Sequence, residues 1–424
     1  MGSHRIGARL SGLSPEQLVA FIDKQAPLWS AAAMRVAEEH AARLVEQPEW
    51  VLSEVLLSPD LAPHILAQLP TTAHAVKGTC RAWRRGWKET LKKRERPRLL
   101  VFGGRGSDGR VNSLERHDPS TNEWEEEAVA PMPSTRRYVG TAVLEGKLYA
   151  AGGQSEADNG ATSNLVERYD FATKAWEEVA LMATPRKAHK MAVLDGKLYA
   201  VGGYDDHYLT SVERYDPAAN AWEAVAPLPS ARIAALDGKL YAIRGYDGGY
   251  LASVERYDPA TNAWEAVAPM AEARQAHGMA VLDGKLYAVG GLGDGALSSV
   301  ERYEPAANAW EAVAPLAAAR DSHAVAVLDD KLYAVGGYND DDGHLSSVER
   351  YDPMLSAWEA VAPMAEAREA HAVAVLDGKL YVAGGMGPGF IDLSSVEQYD
   401  PAVGAWEAVA PMAAVRNKAF AVLM

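Results

Sequence analysis

Cysteine, long apolar runs and basic charge are all scarce in this chain. Cys80 is the single cysteine in 424 residues, so no disulfide can close within the chain and no cysteine-based metal site can be built. No segment approaches the roughly 18 consecutive apolar residues that a membrane helix requires. Residues 1–18 hold no apolar stretch of the kind that directs secretion. Gly2 is followed at the diagnostic position by Ile6 instead of Ser or Thr, which breaks the myristoylation pattern. The expectation is a reducing intracellular setting, the cytoplasm first, with no membrane partner. Lys and Arg number 42 against 57 Asp and Glu, a formal charge of −15. A field of that sign repels phosphate backbones and argues against nucleic acid as a partner.

The acidity is not uniform. Residues 1–100 carry 15 Lys and Arg against 10 Asp and Glu, which leaves 27 against 47 for the remainder. The chain thus has two parts of opposite sign that meet near residue 98. Three segments are expected: 1–50, helical; 51–98, helical and ending in a basic linker; and 99–424, a repeat array.

The array announces itself by recurrence. Gly103-Gly104, Gly152-Gly153, Gly202-Gly203, Gly290-Gly291, Gly336-Gly337 and Gly384-Gly385 mark six repeats, and Arg244-Gly245 marks a seventh. Each repeat has one tryptophan: Trp124, Trp176, Trp222, Trp264, Trp310, Trp358 and Trp406. Seven residues earlier stands a tyrosine (Tyr169, Tyr215, Tyr257, Tyr303, Tyr351, Tyr399), or His117 in the first. Residues 371–412 show what one repeat builds. Ala372–Leu376 reads as a buried strand, and Asp377-Gly378 as a two-residue hairpin turn. Lys379–Ala383 is a second strand ended by the glycine pair. Ser395–Tyr399 alternates as a third, and Trp406–Val409 is a fourth stopped by Pro411. A four-stranded meander cannot cover both its faces alone, so it must stack on its neighbours with Tyr and Trp between them. Seven such sheets packed radially make a β-propeller.

The double glycine, the later tyrosine and the tryptophan on the outermost strand together resemble the kelch repeat, seven times over some three quarters of the chain. The resemblance implies that the first strand of each sheet lies innermost. The C-terminal Ala419–Leu423 matches an innermost strand with nothing after it, and the array opens at Leu99–Gly103 on a second strand with nothing before it. The two fragments would complete one sheet and close the ring. The expected fold is mostly β: a seven-bladed kelch-type propeller closed by the C-terminal strand, with a small all-α N-terminal domain. The fourth repeat departs from the pattern. Arg232 to Asp237 is four residues shorter than Arg274 to Asp283, and Arg244 replaces a glycine. A bulge, a specialised notch and a defect all fit.

In the N-terminal part, Ser14-Pro15-Glu16-Gln17 reads as a helix-starting capping box. Residues 57–70 and Cys80-Arg81-Ala82-Trp83-Arg84 resemble an F-box, with Ser58 where that motif carries proline. The resemblance implies that Leu57, Leu61, Ile65, Leu66, Leu69, Pro70 and Trp83 meet the Skp-type adaptor of a cullin-RING ubiquitin ligase. A plain helical bundle with Trp83 in its core is the other reading. The basic run 92–98 reads as a solvated helix end, with a nuclear signal as the alternative.

An arginine precedes every innermost strand: Arg136, Arg186, Arg232, Arg274, Arg320, Arg368 and Arg416. The repeat order places all seven at one mouth of the channel. The resemblance implies that they bind an acidic peptide motif of a target protein, since guanidinium forks suit carboxylates. Fastening their own loops is the competing role. The loops between second and third strands vary most and supply Tyr204, Tyr246 and Tyr338, with Tyr208 and Tyr250, as candidate anchors. His189, His277, His323 and His371 each follow one of the arginines by three residues and read as polar strand-end residues, not as a metal cluster. No catalytic motif or cofactor signature appears. Copper-oxidase chemistry, which some kelch propellers perform with a cysteine-modified tyrosine, is excluded because the array has no cysteine. A kelch-type carbohydrate-acting enzyme using Arg, His and Glu at the mouth is the catalytic alternative. The leading reading is a non-catalytic substrate adaptor without cofactor. An interaction scaffold of the cytoskeletal type is the second.

Overall fold

In the computed structural model the chain divides into two units, Met1–Arg96 and Pro97–Met424. The structure describes residues 98–102, 113–119, 121–125, 131–155, 159–228, 231–244, 249–417 and 420–423. The expected N-terminal helices and the F-box-like segment, with Leu57, Leu61, Ile65, Leu66, Leu69, Pro70 and Trp83, lie outside these residues.

The repeat pattern folds as its periodicity dictates. Seven four-stranded antiparallel sheets follow one another. The second blade shows the plan: Gly140–Leu144, Lys147–Ala151, Val166–Asp170 and Ala175–Glu178, in that order across the sheet. The third to seventh blades begin at Lys190, Ala231, Gly278, Ala324 and Ala372. The first blade is assembled from both ends of the array. Phe420–Leu423 pairs with Leu99–Phe102, and Leu114–Asp118 and Glu123–Glu125 complete it. In this clasp Leu99 opposes Leu423 and Phe102 opposes Phe420. The expected closure by the C-terminal strand is therefore present.

Second strands such as Lys331–Val335 are buried from their second residue to their last, because both faces of each sheet are covered. A two-sided environment favours continuous apolar runs over alternation. Among the described residues the apolar side chains form seven clusters, one per seam between adjacent blades. The seam of the first and second blades contains Leu100, Leu114, Leu148 and Tyr169. That of the seventh and first contains Val101, Tyr381 and Val396. With every seam filled, the ring is complete. Tyrosines meet across five seams at 5.6–5.9 Å, as in Tyr149 with Tyr215 and Tyr333 with Tyr399. His117 meets Tyr381 at 5.9 Å in a sixth. Trp222, Trp264 and Trp406 lock adjoining blades by donating indole N–H to Ala180, Ala226 and Ala362 carbonyls at 2.8–2.9 Å.

The glycine pairs are required by space as well as by dihedral angle. Gly336 and Gly337 have φ of 58° and 105°. A Cβ on them would lie 2.5 Å from the Arg368 carbonyl oxygen and 2.6 Å from that of Asp321. At the outer rim, third-strand arginines pair with fourth-strand glutamates, Arg168 with Glu177 and Arg214 with Glu223 among them. The glutamates remain about half exposed.

Candidate recognition face

Antiparallel order puts the loop after each second strand and the loop that enters each blade on one face. Backbone bridges bind these two loops together: Lys187 to Tyr204, Gln275 to Leu292, Asp321 to Tyr338 and Glu369 to Met386. Short ribbons stiffen the longer loops, Tyr338–Asn339 with Gly343–His344 and Met386–Gly387 with Ile391–Asp392. The face is variable in sequence yet held in place, the arrangement that positions recognition residues.

The arginine ring does not present itself to a ligand. Arg136, Arg186, Arg274, Arg320, Arg368 and Arg416 are at most 2 % exposed. Each turns inward to the glutamate of its own blade's third strand: Glu167, Glu213, Glu301, Glu349, Glu397 and Glu115, at 2.6–2.8 Å. Arg320 is representative. Its Nη1 donates to the Gly336 carbonyl at 2.9 Å and the Ser347 carbonyl at 3.0 Å. Its Nη2 donates to Ser347 Oγ at 3.1 Å and Glu349 Oε1 at 2.7 Å. Glu349 also accepts the Ala317 and Ala318 amides at 2.7 and 3.1 Å. One ion pair thus ties the entering loop, the glycine pair and the third strand together. Burial pulls the Arg320 pKa below its ordinary value while Glu349 pushes it back. Guanidinium does not deprotonate in proteins, so the pair stays ionic. The expectation of a cationic rim for an acidic peptide is corrected: these six groups are spent on holding the face together. Arg232 departs differently, because its backbone lies within the strand Ala231–Leu236, opposite Ile243.

The histidines are likewise internal. His189, His277, His323 and His371 are at most 8 % exposed. His189, His323 and His371 sit against the preceding blade: a Cβ on Gly140 would lie 2.3 Å from His189 Nε2, one on Gly278 2.7 Å from His323 Nε2 and one on Gly336 3.0 Å from His371 Cε1. Desolvation, reinforced by Arg186 and Arg368, lowers His189 and His371 to about 3. All four stand one residue before an innermost strand, as expected, but buried, and His189 and His371 are neutral. Among the described residues no group of three His, Cys, Asp or Glu is placed to hold a metal ion.

The residues that do face outward come from the variable loops. Tyr204 stacks edge-on against Tyr208 at 5.5 Å, with the Lys187 ammonium 5.4 Å from its ring centre. The Arg137 guanidinium lies 5.7 Å from the centre of the exposed Tyr138 ring. Across the face, Tyr338 meets His344 and His344 meets Phe390, each at 5.3 Å and edge-on. Tyr208, Phe390 and Ile391 are 62 %, 66 % and 64 % exposed. Tyr246 lies outside the described residues, and Tyr250 is half-buried. Phe390, Ile391, His344 and Tyr138 were not singled out by sequence. The signal for Phe390, Ile391 and His344 was departure from the repeat consensus within loops already recognised as variable, whereas Tyr138 lies in the loop that enters the second blade. Charge is divided too. Asp321, Asp340, Asp341, Asp342, Glu369 and Asp392 gather on the sixth and seventh blades, while on the second and third Arg137 and Lys187 share the face with Asp205 and Asp206. Burial and the nearby Asp340 charge raise the Asp321 pKa.

The profile of the KLHDC2/KLHL20/DRC7 Kelch-repeats domain matches residues 66–233 and 230–421. The chain belongs to the kelch-repeat family. Its relatives include an F-box/kelch-repeat protein of Arabidopsis thaliana, 39 % identical over 82 residues, which are 19 % of this chain and 17 % of that one. Kelch-like protein 40 of Xenopus tropicalis is 36 % identical over 83 residues, 19 % of this chain and 12 % of that protein. Kelch-like protein 36 of Bos taurus is 42 % identical over 65 residues, 15 % and 10 % of the two chains. The kelch chain studied thus aligns with less than a fifth of each relative's length. Among solved structures, YjhT superposes with a TM-score of 0.51 at 14 % identity, covering 66 % of this chain and 99 % of YjhT. A fungal alcohol oxidase in complex with copper gives 0.57 at 19 %, covering 68 % of each. At those identities the likeness is one of fold. The kelch propeller, then, pairs a shared clamp in six blades with outward aromatic residues that differ from blade to blade.

Proposed function

We propose that this chain is a substrate-recognition subunit of a cullin-RING ubiquitin ligase of the F-box type, performing no covalent chemistry itself. The carrying observation is the loop face of the propeller, where exposed Tyr208, Phe390 and Ile391 stand on loops braced by ribbons and backbone bridges. Large apolar side chains held rigidly in the open are characteristic of binding-energy hot spots. Kinship with an F-box/kelch-repeat protein supports the adaptor half of the reading. The target lies across the mouth, its apolar, basic end toward Phe390, Ile391 and the sixth- and seventh-blade carboxylates. The reading places the protein in the cytoplasm.

The test is binding of the full chain to a purified Skp-type adaptor. Wild type should bind and Leu66→Asp should not, with the propeller's unfolding unchanged. Absence of wild-type binding overturns the ligase reading and leaves the kelch interaction scaffold. Once a target is captured, Phe390→Ser with Ile391→Ser should weaken it while adaptor binding persists.

A further inference from the structure

The fourth blade keeps the third-strand glutamate but not the clamp. Glu255 stands where Glu213 and Glu301 stand in the adjoining blades. Those two are at most 3 % exposed, whereas Glu255 remains partly open to solvent. Three differences explain it. Arg232 enters the inner strand four residues early, in register with Ile243, instead of leaving the chain from the loop as Arg274 does. Leu228 donates to the Thr210 carbonyl as Met270 does to that of Ala252, and the sequence then continues with Pro229 where the fifth repeat has Ala271. Ala271 gives its amide to Glu301 at 2.6 Å, but proline has no N–H to give. Finally, Ser299 Oγ receives the Arg274 guanidinium at 3.1 Å, while its counterpart Ser253 Oγ is shielded from solvent and makes no hydrogen bond among the described residues.

We propose that Glu255, with the shielded Ser253 hydroxyl behind it, forms a guanidinium socket that takes an arginine side chain of the bound protein. The chemistry is calibrated within the molecule. The same carboxylate and hydroxyl pair, in the same strand register, holds a guanidinium in the third, fifth, sixth and seventh blades. A carboxylate with an adjoining hydroxyl selects a planar donor fork over an ammonium. The inference deepens the protein-recognition reading, but its test needs neither the adaptor nor a target.

The probe is acetyl-arginine amide, with the lysine and citrulline amides as controls, followed by thermal unfolding of the full chain. The arginine amide should raise the unfolding temperature saturably, and neither control should match it. Glu255→Gln should abolish the rise. Ser253→Ala should weaken the affinity about tenfold, the worth of one charge-assisted hydrogen bond. An equal response to citrulline, or a response unaltered in Glu255→Gln, overturns the socket. So does a response that appears only after Arg232→Ala or Arg244→Ala, because the chain would then fill the site itself. A positive arginine response without adaptor binding defeats the ligase reading alone.

Discussion

Replacing Arg320 separates a structural clamp from a ligand-binding group. In Arg320→Ala the four hydrogen bonds to Gly336, Ser347 and Glu349 disappear. The Glu349 side chain, 3 % exposed, keeps only the Ala317 and Ala318 amides as partners. Breaking one side of a buried ion pair leaves an uncompensated charge, at a cost of about 3–5 kcal/mol. Arg320→Met with Glu349→Leu removes both charges and fills much of the volume. Its destabilisation should fall below the sum of the single variants by about 1–3 kcal/mol. Arg137→Ala, which alters a partly exposed cation beside Tyr138, should stay within about 0.5 kcal/mol of wild type. Urea unfolding followed by tryptophan fluorescence reads wild type and all these variants, since each blade carries a tryptophan at its seam. An unchanged midpoint in Arg320→Ala, or purely additive effects in the double variant, would refute the clamp and restore the arginines as candidates for ligand contact.

Other consequences can be measured on the same protein. His189 and His371 titrate near 6.5 when unfolded and near 3 in the fold, so between those values the unfolded chain binds more protons and stability falls as pH falls. At pH 5.5 each costs about 1 kcal/mol relative to neutral pH, and His189→Gln with His371→Gln should flatten that dependence; an identical pH profile would show that the rings are not buried neutral. Ser356 has a positive φ of 51° and stands where Asn220, Asn262 and Asn308 accept the hydroxyls of Tyr215, Tyr257 and Tyr303 at 2.9 Å. Because Tyr351 Oη is buried without a partner, Ser356→Asn should stabilise by about 1 kcal/mol, and an unchanged or lower melting temperature counts against it. Removing residues 416–424 takes away both the Arg416–Glu115 pair and the strand opposite Leu99–Phe102; the whole propeller should melt earlier, and an unaltered melting temperature would contradict closure.

The ring was legible because its determinants are local and repeated. Asp377-Gly378 dictates a hairpin, the glycine pair ends the second strand, and Phe420–Leu423 has the composition of the strand that Leu99–Phe102 lacks. Spacing could not decide between arginines that fasten their own loops and arginines that meet a ligand, because it fixes the loop that carries a side chain but not the partner it finds. One signal was available. The glutamate of Val-Glu-Arg-Tyr recurs as faithfully as the arginine, and two opposite charges repeated in every blade serve what every blade shares. Recognition residues such as Phe390 and Ile391 obey no repeat, so periodicity is blind to them. The curtailed fourth blade was visible in sequence, but only the contrast between Glu255 and its buried counterparts gave the shortening a chemical meaning.

The rim pairs have an effect beyond their own blades. Every fourth strand ends its sheet with unsatisfied backbone groups, and an open edge of that kind invites another chain to add itself. Glu223, Glu265, Glu311 and Glu359 hold a nearby arginine yet keep about half their surface in water. Two molecules meeting edge-on would have to strip water from these arginine–glutamate pairs before their strands could join. Hydrated charge thus guards the place where the backbone is most adhesive.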